Sequence, residues 1–354
     1  MPKRSLAVAI TLTLGVLATA CSSSDDGADT VHGIAVLSMD QKGRTVQVFD
    51  PNSGEVVLTK HFSIGENQQT LASCGGPVGI SAFSPDYKQL AIRQSYGSGQ
   101  HVGLLEGTDD SKKVAKFTDL SGDVEGKGKP VTQSTGAFGP DGKLYAIEQN
   151  DGGQVVKVIN PSSGESENLN TKPTWTELDE SGNQVTVDAT ADRAKPYFLP
   201  HGTEMEVDPA GHKVYTTDGK WGFEMPDDAH VTRGDLQKPT GKRYTVPMPK
   251  QADGAVDSVV PVVVQNEDSG VFVSYGGGAL YRGKFLREEL QLAKLNIPIK
   301  GFVNATGSPD SKSFAWIDKP DNGPATLSVA GVKGLKLKQL AKLTGQRICM
   351  LGWQ

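Results

Sequence analysis

Short, largely apolar stretches recur along the chain, many closed by a cluster of Pro, Asp, Ser or Gly. Apolar runs of this length between turn signals read as strands with both faces buried. A turn phrase sits between many of these stretches. It reads Ala82-Phe83-Ser84-Pro85-Asp86, then Ala137-Phe138-Gly139-Pro140-Asp141-Gly142. It returns as Glu206-Val207-Asp208-Pro209-Ala210-Gly211 and Thr306-Gly307-Ser308-Pro309-Asp310. Pro presets φ for the second turn position, Asp bonds locally to the backbone, and Gly tolerates the exit. The phrase therefore predicts a tight antiparallel connection. A second turn appears as Asp50-Pro51-Asn52-Ser53-Gly54-Glu55 and as Asn160-Pro161-Ser162-Ser163-Gly164-Glu165. Its two copies lie about 110 positions apart, two units of about 55.

These spacings predict a repeating unit of four strands, A to D, with the first turn between A and B and the second between C and D. The second unit has A before Pro85, then strands over 89–94, 101–105 and 113–120. The third has A before Pro140, then 143–148, 154–159 and 165–169. The fourth has A before Pro209, a strand at 213–217, an irregular stretch and a strand at 243–247. The fifth uses Asn266-Glu267-Asp268-Ser269-Gly270 as a proline-free turn between 259–264 and 271–275. The sixth has A before Pro309, then 313–318, 326–329 and 335–343. The N-terminal region supplies three strands, 33–39, 45–49 and 56–62, with no A strand ahead of them. The C-terminus supplies one orphan strand, 347–353, with Trp353 where Phe83 and Phe138 fall in their units. Joined to the N-terminal three, it completes a unit. Helix-like periodicity is confined to 285–295 and 333–343.

The pattern resembles that of TolB-like and WD-repeat-like propellers of bacterial envelope proteins, over most of the chain. The resemblance implies an all-β fold: a six-bladed β-propeller of four-stranded antiparallel blades, closed by the C-terminal strand joining the N-terminal blade. Radial repetition of this kind leaves only short, protected edges. It implies binding or scaffolding and does not by itself license more. WD dipeptides are absent from the chain.

The first 20 residues have the anatomy of an export signal. Lys3 and Arg4 precede an uncharged, largely apolar run from Leu6 to Ala20. At about 15 residues that run is short for a membrane span. Ala18-Thr19-Ala20-Cys21 follows, then the polar stretch Ser22-Ser23-Ser24-Asp25-Asp26-Gly27. Small residues before a cysteine and a polar tether after it resemble a bacterial lipoprotein lipobox. The position three before Cys21 is Ala18, where that family usually has leucine. The resemblance implies a signal peptide over 1–20, lipidation of Cys21, a flexible tether over 21–31 and one propeller domain over 32–354. It places the protein on the extracytoplasmic side of the cell membrane, held there through the acylated Cys21.

Composition fits that address. The formal net charge is −5, and about −7 once a leader bearing Lys3 and Arg4 is removed. A mildly acidic chain lacks the clustered Lys and Arg that nucleic acid requires. The lysines of 333–342 are the exception, and the alternation Leu335-Lys336-Leu337-Lys338 reads as an edge strand with lysines facing water. Forty-two glycines and twenty prolines fit a turn-rich all-β chain.

Catalytic signatures are missing from the sequence. The six histidines do not pair at metal-ligand spacing, no cysteine pair has zinc spacing, and no nucleophile elbow or phosphate-binding loop occurs. No metal and no cofactor are expected. Ser274-Tyr275-Gly276-Gly277-Gly278 reads as a hairpin turn.

Two insertions interrupt the repeat. One, over 171–195, carries Trp175 and a hairpin signal at Glu180-Ser181-Gly182-Asn183; the other, over 219–242, carries Trp221, Asp227, Asp228 and His230. D–A and B–C connections share one face of a propeller, so both insertions are expected there, with His101 and His201 nearby. Long loops on a rigid scaffold concentrate function, and aromatics anchor partners. The expected function is therefore a non-catalytic binding or scaffold role, with an envelope protein or glycan as partner. A propeller enzyme of lactonase or lyase type, working in the central channel, is the alternative. Glu204 and Asn304 are the polar A-strand residues that such an enzyme would draw on. Once Cys21 is set aside, Cys74 and Cys349 form a candidate disulfide, on neighbouring inner strands and far apart in sequence.

Overall fold

The computed structural model describes residues 31–354 except 42, 71, 73–81, 97–98, 123–131, 134, 140–141, 151–152, 169–173, 179–183, 189–212, 216–220, 228–229, 236–237, 246–258, 267–268, 275–277, 288 and 321–322. Among the described residues the regular structure is all β. One four-stranded antiparallel sheet has the order Arg347–Trp353, Ile34–Met39, Gly43–Phe49, Val56–Ser63. The orphan C-terminal strand thus pairs with the first strand, from Met39↔Arg347 to Ile34↔Trp353, with a bulge at Ala35/Val36. Its sequence, Ile348-Cys349-Met350, is buried and has no partner nearby in the chain. Only a distant strand can take up its N–H and C=O groups. The last repeat forms a second antiparallel sheet: Phe302–Gly307, Ser313–Asp318, Ala325–Gly331, Leu337–Leu343.

The second and third units merge into one nine-stranded sheet, although the repeat predicts separate units. Strand Phe117–Asp119 covers only Gly103 to Leu105 of Gly99–Glu106. The uncovered edge takes Thr132 as a parallel partner of Gln100, and the Gln133 side chain accepts a hydrogen bond from Val102 N at 3.0 Å. Thr70 Oγ1 donates to Ala91 O, and the chain is back opposite Ala91 at Ala82, whose carbonyl accepts Ala91 N.

Two further differences concern element type. The irregular stretch of the fourth unit is β structure: Lys213–Tyr215, Trp221–Asp227, His230–Asp235 and Lys238–Thr245 pair in sequence. This run joins Glu289–Lys294, Ala279–Leu286, Ser269–Ser274 and Val259–Asn266 in an eight-stranded sheet through the bridge Thr245↔Glu289. The helix-like spacing over 285–295 is a hairpin. Arg287 has φ +58° in its turn, and Phe285 pairs with Leu290. The pair Thr174–Leu178 and Gln184–Asp188 forms the hairpin expected in the first insertion.

The core lies between sheets, and strand alternation assigns each face to one neighbour. Ile34 and Val36 pack with Ala315, Ile317, Leu327 and Met350, toward the last sheet. Ala35 and Leu37 pack with Phe83, Tyr87, Leu90 and Ile92, toward the second unit. Ala91, Val102 and Leu104 then meet Phe138, Leu144 and Ile159 of the third. Val263, Val271 and Val273 meet Phe314 and Trp316 of the last. Each such strand is buried on both sides, which explains runs as apolar as Ile34-Ala35-Val36-Leu37. Cys349 lies in the same cluster as Ala72, is 2% exposed and is disulfide-bonded. Cys21 and Cys74 both lie outside the described residues.

Candidate functional site

Antiparallel order sends alternate connections to opposite ends of the sheets. One end carries the repeated turns, and each of the two turn types makes the same hydrogen bonds in two units. Ser84 Oγ donates to Asp86 Oδ1 at 2.6 Å and accepts Gln89 N at 2.9 Å, while Asp86 Oδ1 accepts Lys88 N. Ser308 does the same with Asp310 at 2.7 Å and Ser313 N at 2.9 Å, and Asp310 accepts Lys312 N. Tyr87 and Ser311 hold φ +55° at equivalent positions. In the second turn, Asp50 Oδ1 accepts Asn52 N and Ser53 N, and Asn160 Oδ1 accepts Ser162 N and Ser163 N.

Hydrogen bonding sets the acidity of these carboxyls. The Ser53 amide holds Asp50 below the usual carboxylate range, and the Ser308 hydroxyl does so for Asp310. At Asp86 burial opposes ionisation, but the Ser84 hydroxyl and the Lys88 contacts outweigh it and lower the pKa. Burial alone raises the Tyr87 phenol. The chain termini of the domain meet at this same end: Gly33 N donates to Gln354 O at 2.8 Å and Gln354 N to Gly33 O at 3.0 Å. The chain that precedes Gly33 therefore enters beside the turns.

The opposite end holds polar clusters of a different kind. His101 is 8% exposed, and its Nδ1 lies 2.9 Å from Asp119 Oδ2 and 3.1 Å from Ser121 Oγ. Ser121 N donates to Asp119 Oδ1 at 2.8 Å. A histidine that activates a serine holds its carboxylate on the other ring nitrogen. Here both oxygens face one nitrogen, so the trio is a clasp between two strands. It continues into Gln133, which is fully buried. Gln133 Nε2 donates to Glu148 Oε2 at 2.8 Å and to Ser121 O at 3.4 Å, and Lys157 Nζ lies 2.9 Å from Glu148 Oε2.

Sequence reasoning missed a second cluster at that end. Arg93 Nη1 donates to Gln100 Oε1 at 3.0 Å, and Nη2 donates to Gln69 Oε1. Gln68 Nε2 donates to Gln94 Oε1 at 2.9 Å. The signal was present: four glutamines flank one arginine on adjacent strands, with no acid among them.

The candidate residues separate as follows. His101 stands at the end opposite the turns. Trp221 starts the strand that follows Lys213–Tyr215, which is the same end by strand order. Asp227 and His230 pair with each other at the closed end of the next hairpin, whereas Trp221 pairs with Asp235. Six steps of strand, about 20 Å, separate Trp221 from Asp227. The insertion over 219–242, expected as a loop, contains strands, so Trp221 and Asp227 stand at opposite ends of one of them. Trp175 lies on strand Thr174–Leu178. The side chains of Trp175, Trp221, Asp227 and His230 lie outside what is described, as do His201 and Asp228 altogether. Of the two polar residues considered for a channel, Glu204 lies outside the described residues and the Asn304 amide is bonded to the C-terminal strand. Its Nδ2 donates to Met350 O at 2.8 Å and its Oδ1 accepts Met350 N at 2.9 Å, tying the last sheet to the C-terminal strand. Among the described residues no cluster of His, Cys, Asp and Glu is placed to hold a metal.

No protein-family model and no curated protein match the sequence. Solved structures do. TolB from Acinetobacter baumannii is 13% identical over 91% of this chain and 76% of that one, with a TM-score of 0.31. A proposed 6-phosphogluconolactonase from Bacteroides fragilis is 15% identical over 93% of this chain and 99% of that one, at 0.37. An oligogalacturonate lyase in complex with manganese is 13% identical over 90% and 75%, at 0.33. Likenesses this distant assign no activity to the chain.

Proposed function

We propose that the protein is a lipid-anchored, non-catalytic binding or scaffold propeller of the cell envelope. Its four-stranded units are six blades of one ring, closed by Arg347–Trp353. The observation that carries the reading is the segregation of the two ends. Gly33, where the chain enters, and the standard turns share one end, and the polar clusters of the second and third units occupy the other. A lipid on Cys21 then holds the turn end toward the membrane and presents the opposite end to partners.

In this reading Trp175 and Trp221 anchor an envelope protein or glycan, with His101 and His201 nearby. Asp227 and His230 pair at the other end of that strand from Trp221 and are left out of the contact in this reading. Cys74 is the partner of Cys349. The support is local: Ala72, two residues before Cys74, shares a core cluster with Cys349, and its carbonyl accepts Arg44 Nε at 3.2 Å.

Replacement of both tryptophans by alanine tests the site through partner capture from envelope extracts. The anchor is tested separately by mass spectrometry of the membrane fraction, which should show an acylated Cys21 at the mature N-terminus. A Cys21→Ala protein that stayed equally membrane-bound would refute it. Turnover of a lactone or a uronate polymer by the wild-type protein would replace binding with the competing enzymatic reading.

A further inference from the structure

Arg93 sits where the packed interior of the second and third units gives way to the end opposite the turns. On its strand Leu90, Ala91 and Ile92 are fully buried, and Arg93 is half-buried one residue further along. It pairs in register with Gln69 on one side and Val102 on the other. Side chains of directly paired residues share a sheet face, and Gln100 joins that face two positions from Val102. Beyond Gln100 comes Thr132 of the third unit, its parallel partner, with an exposed side chain.

A guanidinium has five N–H donors and one full charge. Two donors of Arg93 meet amide oxygens, and the buried Nε has no partner. Amide oxygens are neutral, so they orient the group without balancing it. Among the described residues no carboxylate lies within ion-pair distance of Arg93. A cation that loses its water is costly unless it is paired, and a matched pair does occur nearby, at Lys157–Glu148. Gln69 and Gln100 fix the plane of the guanidinium instead, and their amide nitrogens add donors around it. Arg binds carboxylates through paired, charge-assisted hydrogen bonds. Amides, which both donate and accept, suit sugar hydroxyls.

We propose that Arg93, held by Gln69 and Gln100, is a subsite for the carboxylate of an acidic sugar. The inference rests on the reading of this end as the binding end, and it selects a carboxylated glycan as ligand class.

The test uses the full chain and two probes that differ in one group: D-glucuronate, and D-glucose, which lacks the carboxylate. Saturation-transfer NMR is expected to show glucuronate binding at least about tenfold stronger than glucose. Arg93→Gln should weaken glucuronate binding by at least about tenfold with its Tm unchanged or raised, because an uncompensated half-buried charge is removed. Arg93→Lys, which keeps the charge and loses the fork, should fall between the two. Equal binding of glucose and glucuronate, undiminished binding by Arg93→Gln, or a lowered Tm in that variant would overturn the subsite. Failure here leaves capture through Trp175 and Trp221 intact, so the two readings fall separately.

Discussion

At the turn end, Ser84 and Ser308 make the same hydrogen bonds in two units, and Asp50 and Asn160 do so in two others. At the opposite end, the second unit and its junction with the third carry polar contacts of another kind: a His101–Asp119–Ser121 clasp, a buried Gln133, an Arg93 caged by glutamines. The difference separates two uses of polar residues. Where a contact recurs at the same place in separate repeats, its role is to turn the chain. Where a contact appears once on a repeating scaffold, the repeat does not require it, and it becomes a candidate for recognition. The first predictions below break the shared framework, and the later ones probe how local each end is.

The largest effect should follow deletion of 347–354. It removes one edge strand of the first sheet, uncovers Ile34 and Val36, and leaves the Asn304 amide without Met350. Stability of a domain is only about 5–15 kcal/mol, so cooperative thermal unfolding should disappear. An unchanged melting temperature would show that the seam is not structural. Next in size is Cys349→Ser. With Cys74 as partner, the bond closes a loop of roughly 275 residues, for which chain entropy gives about 5 kcal/mol as an upper figure. Labelling under denaturing, non-reducing conditions should find neither Cys74 nor Cys349 reactive in the wild type, and a reactive Cys74 in the variant.

Two glycines in equivalent turns separate conformational strain from crowding. Gly54 has φ +84°, and an added Cβ would lie 2.6 Å from Leu340 O of the neighbouring sheet. Gly164 has φ +73°, but its Cβ would meet only Leu120 Cδ2 at 3.8 Å. Gly164→Ala should cost about 1 kcal/mol for the left-handed backbone, and Gly54→Ala about 2–3 kcal/mol because the backbone must also shift. Equal losses by denaturant titration would mean that the neighbouring sheet yields freely.

The smallest stability effect concerns acid. Asp310 and Asp86 have folded pKa values below the ordinary 3.8. The unfolded chain therefore binds protons first as pH falls, and stability rises with pH in this range. Their contribution is complete above the unfolded value and is lost as pH drops through the lower folded one. Asp310 is half-exposed, so its share should be below about 1 kcal/mol. Asp310→Asn should flatten the slope of stability against pH below about pH 4, with little change at neutrality.

The turns were legible in the sequence because their hydrogen bonds run between residues two to five positions apart. The C-terminal strand was legible because an apolar orphan needs a distant partner. The strands of 221–245 were not. Trp221–Asp227 and Lys238–Thr245 mix Pro, Gly and charge without clean alternation, and their pairing is set by register with each other. The merging of the second and third units was also hidden, since it depends on how short Phe117–Asp119 turns out to be. Arg93 escaped because an arginine on a strand reads as a solvent-facing residue until its neighbours are known.

The account rests on the claim that the end opposite the tether recognises a partner. Its most direct test is quantitative capture from envelope extracts by the wild type and by Trp175→Ala/Trp221→Ala, with melting temperatures measured on the same samples. Burying one tryptophan removes about 200 Å² from water, several kcal/mol at about 25 cal/mol per Å² before entropic losses. Capture should fall by at least about tenfold while Tm moves by less than about 2 °C. Undiminished capture would contradict the claim, and so would a double variant that unfolds, because the tryptophans would then belong to the core.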